Sequence, residues 1–280
     1  MEQRGDKMCN LDLLKKLNDF YIYANEGFYI DKIFNKNNHV IAYSEKVTDV
    51  DCNYITNLAV KDKEEFNSMH KTIKDEMDNL KRRVCYIISP LNEILYNNRK
   101  DFFESNLFQE INNEVWQIFD DFDNLENMKK YGDLNVELVK ASDMKKFAII
   151  NDECFSTGDK EDPYGSLDKG YIDIYENYVE SANSKYKREF YFVKLKDEIV
   201  GVTVSVYGDG ICGIYGLAIK KEYRKHGIGK EVLRQQLKIC RDRNVDIAFL
   251  QTEEGVYPAE TYRKFGFKDV CNVYYYIENP

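Results

Sequence analysis

Between Phe190 and Ile219 three apolar runs follow one another almost without interruption, and this stretch constrains the fold more than any other part of the chain. Phe190 to Leu195 breaks at Lys196-Asp197-Glu198, and Ile199 to Tyr207 breaks at Gly208-Asp209-Gly210 before Ile211 to Ile219. Extended runs joined by turns this short have to pair as an antiparallel meander. The third run feeds a basic loop with Arg224, Gly227 and Gly229. Beyond it Ile228, Val232, Leu233, Leu237 and Cys240 recur at helical spacing. Asn244 ends that helix and Val245 to Leu250 reads as a buried strand. A short helix over Pro258 to Lys264, a break at Gly266 and a last strand from Val270 to Ile277 complete the order.

Upstream, Leu134 to Val139 alternates with period two and predicts a strand. Ser142-Asp143 offers an N-cap for a helix running to about Cys154. A loop through Gly158, Pro163 and Gly165 leads to a second helix over roughly 167–185, whose Tyr171, Ile174, Tyr175, Tyr178 and Val179 form one apolar face.

The element able to carry chemistry is strand, then Arg224-x-x-Gly227-x-Gly229, then helix. Two glycines let backbone approach a bulky anion without Cβ interference, and the helix aims free N–H groups at the same place. A pyrophosphate fits such a nest, although ordinary helix entry uses glycines too. A dinucleotide or Walker-type loop fits less well, because the third glycine and the Gly-Lys-Ser/Thr are missing.

The run Leu217-Ala218-Ile219-Lys220-Lys221-Glu222-Tyr223-Arg224-Lys225-His226-Gly227-Ile228-Gly229-Lys230 resembles the acyl-CoA-binding motif of the GNAT superfamily of N-acetyltransferases. Further on, Tyr262-Arg263-Lys264-Phe265-Gly266-Phe267 is similar to that family's Tyr-x-x-x-Gly-Phe ending. The resemblance covers residues 132–280. It implies an α/β fold whose mixed, largely antiparallel central sheet is flanked by helices, with acetyl-CoA as acyl donor and a primary amine of a small molecule or peptide as acceptor. Backbone groups of Leu217, Ala218 and Ile219 would pair with the pantetheine arm and hold the oxyanion, and the amides of Arg224, Lys225, His226, Gly227, Ile228, Gly229 and Lys230 would hold the pyrophosphate. Tyr262 stands where relatives carry the tyrosine that protonates the departing thiolate; a tyrosine packed beside the donor is its other reading. Gly255 departs from the family, which often has asparagine there. Glu253 and Glu254 are candidate general bases, or solvated loop carboxylates. A non-catalytic acyl-CoA-binding or regulatory module is the alternative function.

Residues 28–119 look like an eroded copy of the same pattern. Phe28-Tyr29-Ile30 parallels Phe190-Tyr191-Phe192, and His39-Val40-Ile41-Ala42 parallels Ile199-Val200-Gly201-Val202. The run from Cys52 to Leu58-Ala59-Val60 parallels Cys212 to Leu217-Ala218-Ile219. Where the second copy has its glycine loop, the first has Lys61-Asp62-Lys63-Glu64-Glu65-Phe66, whose carboxylates would repel a pyrophosphate. A degenerate domain over 1–127 without a CoA loop, joined through the acidic stretch Asp120–Asn127 to an acetyltransferase domain over 132–280, is the expected organisation. Chance likeness between two α/β halves is the alternative.

The formal net charge of −9 argues against nucleic acid as main partner. It suits a cationic acceptor, to which Asp159, Glu161 and Asp162 would contribute, or simply a soluble acidic surface. The cysteine count of 7 is odd, with no CxxC pair, as in a reducing compartment. His39, His70 and His226 lack metal-ligand spacing, so no metal is expected. Without a signal core or an apolar span, the chain is expected to be cytoplasmic and away from membranes.

Overall fold

The computed structural model describes residues 11–103, 107–130, 133–156, 169–179 and 184–279. The first half contains α1 (Leu11–Tyr23), β1 (Lys32–Asn35), β2 (Val40–Tyr43), β3 (Tyr54–Thr56), α2 (Lys63–Asn79), β4 (Cys85–Ile88), α3 (Glu93–Asn97), α4 (Arg99–Phe103) and β5 (Phe108–Phe119). The second contains β6 (Asn135–Leu138), α5 (Met144–Phe155), α6 (Lys169–Glu176), β7 (Lys187–Leu195), β8 (Glu198–Gly208), β9 (Ile211–Ile219), α7 (Ile228–Asp242), β10 (Ile247–Glu253), α8 (Tyr257–Phe265) and β11 (Lys268–Glu278).

The strands form one sheet in the order β1-β2-β3-β4-β11-β5-β10-β9-β8-β7-β6. Each half supplies antiparallel strands, a parallel step across a helix (β3 to β4 over α2, β9 to β10 over α7) and a final strand. The final strands are exchanged. β5 pairs antiparallel with β10 of the second half, β11 pairs antiparallel with β4 of the first, and β5 and β11 pair with each other at the centre. Apart from β6, an additional edge strand of the second half, the order reads alike from either side, as a repeat related by a pseudo-twofold axis would. The backbone keeps a finer trace of the repeat. Asn57, just before Leu58-Ala59, has φ 54°, and Gly216, just before Leu217-Ala218, has φ 52°. Asparagine is among the few side chains that tolerate this left-handed conformation.

One face of the sheet packs on α1, α5 and α6 through Leu14, Leu17, Phe20, Phe147, Ile150 and Ile174. The other is covered by α2 over the first half and α7 over the second. The polar stretch after β5 is no free linker: it coils into a 3-10 turn over Phe122–Asn127 and buries Phe122 and Leu125 with Phe119.

Several expectations need adjusting. Phe28-Tyr29-Ile30 is not a strand but an irregular segment before β1; Phe28 packs its ring on Tyr175, Tyr178 and Phe190 of the second half. Neither Ser142 nor Asp143 caps α5 as expected: a 3-10 turn over Ala141–Asp143 precedes it, and Asp143, at the cap position, makes no side-chain cap bond. The helix expected over 167–185 is described only as Lys169–Glu176. Gly158, Pro163 and Gly165, with Asp159, Glu161 and Asp162, lie outside the described residues. Among those described, no helix is long and apolar enough to cross a membrane.

Candidate active site

β9 and β10 run in parallel register at Ile211↔Ile247, Cys212↔Ala248 and Gly213↔Phe249, and their pairing goes no further. The divergence has a local cause. Between Val202 and Val204 of β8, β9 carries an extra residue, and Gly216 there takes the left-handed backbone that glycine adopts without strain. The bulge reverses the alternation. Gly213 and Tyr215 face the α1 and α5 side before it, and Ala218 takes that side after it. Leu217, Ala218 and Ile219 therefore turn an edge without strand partners toward the gap beside β10.

The loop after β9 is held by its arginine. Arg224 Nε donates to the Ile219 carbonyl at 2.8 Å and Nη2 to the Cys154 carbonyl at 2.7 Å, tying the loop to the ends of β9 and α5. Two of its guanidinium nitrogens thus bond to backbone and help fix the course of the loop. Lys225 (φ 67°) and Gly227 (φ 80°) turn the chain so that α7 begins at Ile228 behind Gly227, a cap residue with no side chain to bond the helix's first amides. A Cβ on Gly229 would meet nothing closer than Leu217 Cδ2 at 3.8 Å, so the fold itself does not need glycine there. His226 and Lys225 are exposed on the loop, and Lys230 follows in the first turn.

The matching place in the first half is closed. Asp62 Oδ1 accepts from the Glu65 N–H at 2.9 Å, and Glu65 Oε2 accepts from the Lys61 N–H at 2.8 Å. This reciprocal cap occupies the N-terminus of α2 with the protein's own carboxylates.

Tyr262 lies on α8, which starts with Pro258 in its first turn and ends at Gly266 (φ 111°), where the Phe267 N–H bonds back to the Tyr262 carbonyl. Its ring packs against Phe267 at 5.9 Å, and burial pushes the phenol pKa up to about 12. Glu254 is engaged elsewhere: Arg263 donates to it from Nη2 at 2.5 Å, and holds Glu260 through Nη1 and Asp269 through Nε. Glu253 stands at the end of β10, opposite Glu114 of β5.

Glu114 went unnoticed in the sequence because it lies far from every motif. Tyr275 Oη donates to it at 2.8 Å. Desolvation, with the charges of Asp51 and Glu253 behind it, raises its pKa to about 8. Since that value exceeds the ordinary 4.5, the folded chain holds a proton that the open chain releases between the two. Stability contributed by this group therefore falls as pH rises from about 4.5 to about 8. Glu114→Gln is expected to raise the urea midpoint relative to wild type above pH 8, the difference closing below pH 5. A pH-independent difference would mean that Glu114 is not held protonated.

On the same face as Glu114, a cavity of about 270 Å³ opens beside Gly216. Asn151 and Phe155 of α5, Tyr171 and Tyr175 of α6, Arg188 of β7 and Tyr215 of β9 line it. Tyr29 reaches in from the first half, its hydroxyl bonded to that of Tyr175. Asn151 is buried, and its Oδ1 has no hydrogen-bond partner although it lies near Gly216, about 4.0 Å from where a Cβ there would be. A polar residue one turn from Phe147 on the buried stripe of α5 was the sequence signal for it. Among the described residues no group of His, Cys, Asp or Glu is arranged to hold a metal ion.

The model of the acetyltransferase (GNAT) family matches residues 149–267. Among solved structures, a GCN5-related N-acetyltransferase from Kribbella flavida is similar with a TM-score of 0.67 at 10% identity, covering 96% of this chain and 95% of that one. A functionally unknown conserved protein from Staphylococcus epidermidis has a TM-score of 0.66 at 16% identity, covering 94% and 96%. A tandem GNAT protein from the clavulanic acid biosynthesis pathway has a TM-score of 0.56 at 10% identity, covering 97% and 89%. At these identities the likeness is one of fold. No curated protein matches the sequence.

Proposed function

Because residues 149–267 are a domain of the acetyltransferase (GNAT) family, we propose that the protein is an N-acetyltransferase moving an acetyl group from acetyl-CoA to a primary amine. The observation that carries this reading is the conjunction of the bulged, diverging β9 edge, the glycine-opened start of α7 and a cavity opening at Gly216. The residues fit acetyl-CoA as donor. The Leu217 to Ile219 edge suits an extended pantetheine arm, and Lys225 to Lys230 present amides to a pyrophosphate, whereas the Arg224 N–H is bonded to the Lys221 carbonyl.

The amine attacks the thioester carbonyl from the cavity side. The new C–N bond forms, the C–S bond breaks, and the carbonyl oxygen bears charge in between, within reach of the β9 edge amides. Tyr262, protonated at neutral pH, gives its proton to the leaving thiolate and is restored from solvent. Glu114 can take the proton lost by the attacking nitrogen only in its ionised form, a minor fraction at neutral pH given its pKa of about 8, so turnover is expected to rise as pH climbs through about 8.

Tyr262→Phe is expected to lower turnover roughly 10²–10⁴-fold with acetyl-CoA affinity retained. Unchanged turnover would return the residue to packing. The cavity favours an enzyme over a module that binds acyl-CoA without turning it over, and release of free CoA thiol with an amine panel separates the two.

A further inference from the structure

Arg188 is a buried cation without an anion. It lies on β7, 6% exposed, with its Nη2 donating to the Ala24 carbonyl at 2.7 Å and to Asn25 Oδ1 at 2.9 Å, and its guanidinium 4.1 Å from the Phe28 ring centroid. Among the described residues no carboxylate pairs with it, and Nε and Nη1 have no hydrogen-bond partner. The groups facing it electrostatically are the neutral phenols of Tyr29, Tyr178, Tyr215 and Tyr175. The carboxylate next along the strand is no help: Glu189 points to the opposite face and is held by Arg243 at 2.7 Å, Lys187 at 3.2 Å and the Tyr191 hydroxyl at 2.5 Å. Buried charges are ordinarily paired, because an uncompensated one is costly to desolvate. Arg188 instead lines the cavity, and Asn151 Oδ1, an unsatisfied buried acceptor, lines it too.

We propose that the acceptor is a small molecule bearing both an amine and a carboxylate, of the amino-acid class. Its carboxylate is bound by the open N–H groups of Arg188, and its amine donates to Asn151 Oδ1 beside Gly216. The inference rests on the acetyltransferase reading and narrows its acceptor. The guanidinium fork suits a carboxylate geometrically, and the tyrosine-rich wall suits a side chain of moderate size within about 270 Å³. The acidic net charge and the acidic loop had suggested a purely cationic acceptor; the described cavity wall carries the opposite sign.

The test uses the intact chain. Acetyl-CoA binding is measured first by calorimetry. CoA thiol release is then followed with the proteinogenic L-amino acids, their carboxamides and the amines left by their decarboxylation. At least one free acid is expected to exceed both its own amide and its own amine by on the order of 100-fold in kcat/KM, chiefly through KM. Arg188→Gln should abolish that preference, and Arg188→Lys should keep part of it. Because Arg188 also ties down Ala24 and Asn25, the comparison of acids, amides and amines on the unaltered protein stands even where the variants do not fold. Acetyl-CoA binding with amides or amines used as well as acids, or with no free acid used, overturns this proposal alone. Failure of acetyl-CoA to bind overturns the donor reading and this proposal together.

Discussion

Gly229→Leu is expected to lower acetyl-CoA affinity by at least ~10²-fold, because the side chain would stand where phosphate oxygens must meet the first amides of α7. A hydrogen bond to a charged group contributes roughly 1.5–3 kcal/mol, so losing two of them amounts to about two to four decades in Kd. The fold should not suffer. A Cβ at this position makes only an ordinary contact with Leu217 Cδ2 at 3.8 Å, the backbone is not in the left-handed region, and leucine is a better helix former than glycine. Calorimetry with acetyl-CoA, alongside thermal melts in its absence, reads the two effects separately. Full affinity in a folded Gly229→Leu protein would remove the phosphate nest from the start of α7. The same substitution at Gly227 would be a poor test, since its φ of 80° would strain any side chain whether or not a ligand binds there.

The second half of the chain was legible because its signals are local. A meander with short turns, a glycine loop opening an amphipathic helix, and a proline-to-glycine helix before the last strand each depend on residues a few positions apart. The cavity was not legible in the same way. Tyr29, Asn151, Arg188 and Tyr215 come from four distant segments, and only the fold brings them together. Arg188 was partly visible as a charge on the inward face of an otherwise apolar strand, although Lys187 and Glu189 on either side disguise it as part of a solvated turn. Phe28-Tyr29-Ile30 shows the opposite failure. Aromatic and β-branched residues suggested a strand, yet burial against Tyr175 and Phe190 decides their conformation. The exchange of β5 and β11 left no mark on the sequence, since a final strand looks the same whichever half it joins.

A chain cut down to residues 133–280 is expected not to fold, although it holds every motif of the donor site. Without β5 the strands β10 and β11, which are not neighbours, would have to close over an empty position. The pairing of β5 with β10 from Ala248↔Phe119 to Glu253↔Glu114, and with β11 from Lys268↔Ile118 to Glu278↔Phe108, would be lost together. So would Trp116, 1% exposed and 5.4 Å from Phe249. Removing one fully buried tryptophan side chain costs about 3–5 kcal/mol, against a total stability of roughly 5–15 kcal/mol for a typical domain. The unpaired edges left behind are apolar and would favour aggregation. The truncated chain should therefore be insoluble or lack a cooperative unfolding transition. Co-expression with residues 1–130 should restore a soluble complex of the two pieces. A monomeric 133–280 fragment that unfolds cooperatively would show that the second half can close its own sheet. In that case Glu114 and Tyr29 would be accessories to the site, and the first half a separable neighbour. If the fragment fails as expected, the first half is needed for the strand that carries Glu114, even though the N-terminus of its own α2 is closed by Asp62 and Glu65.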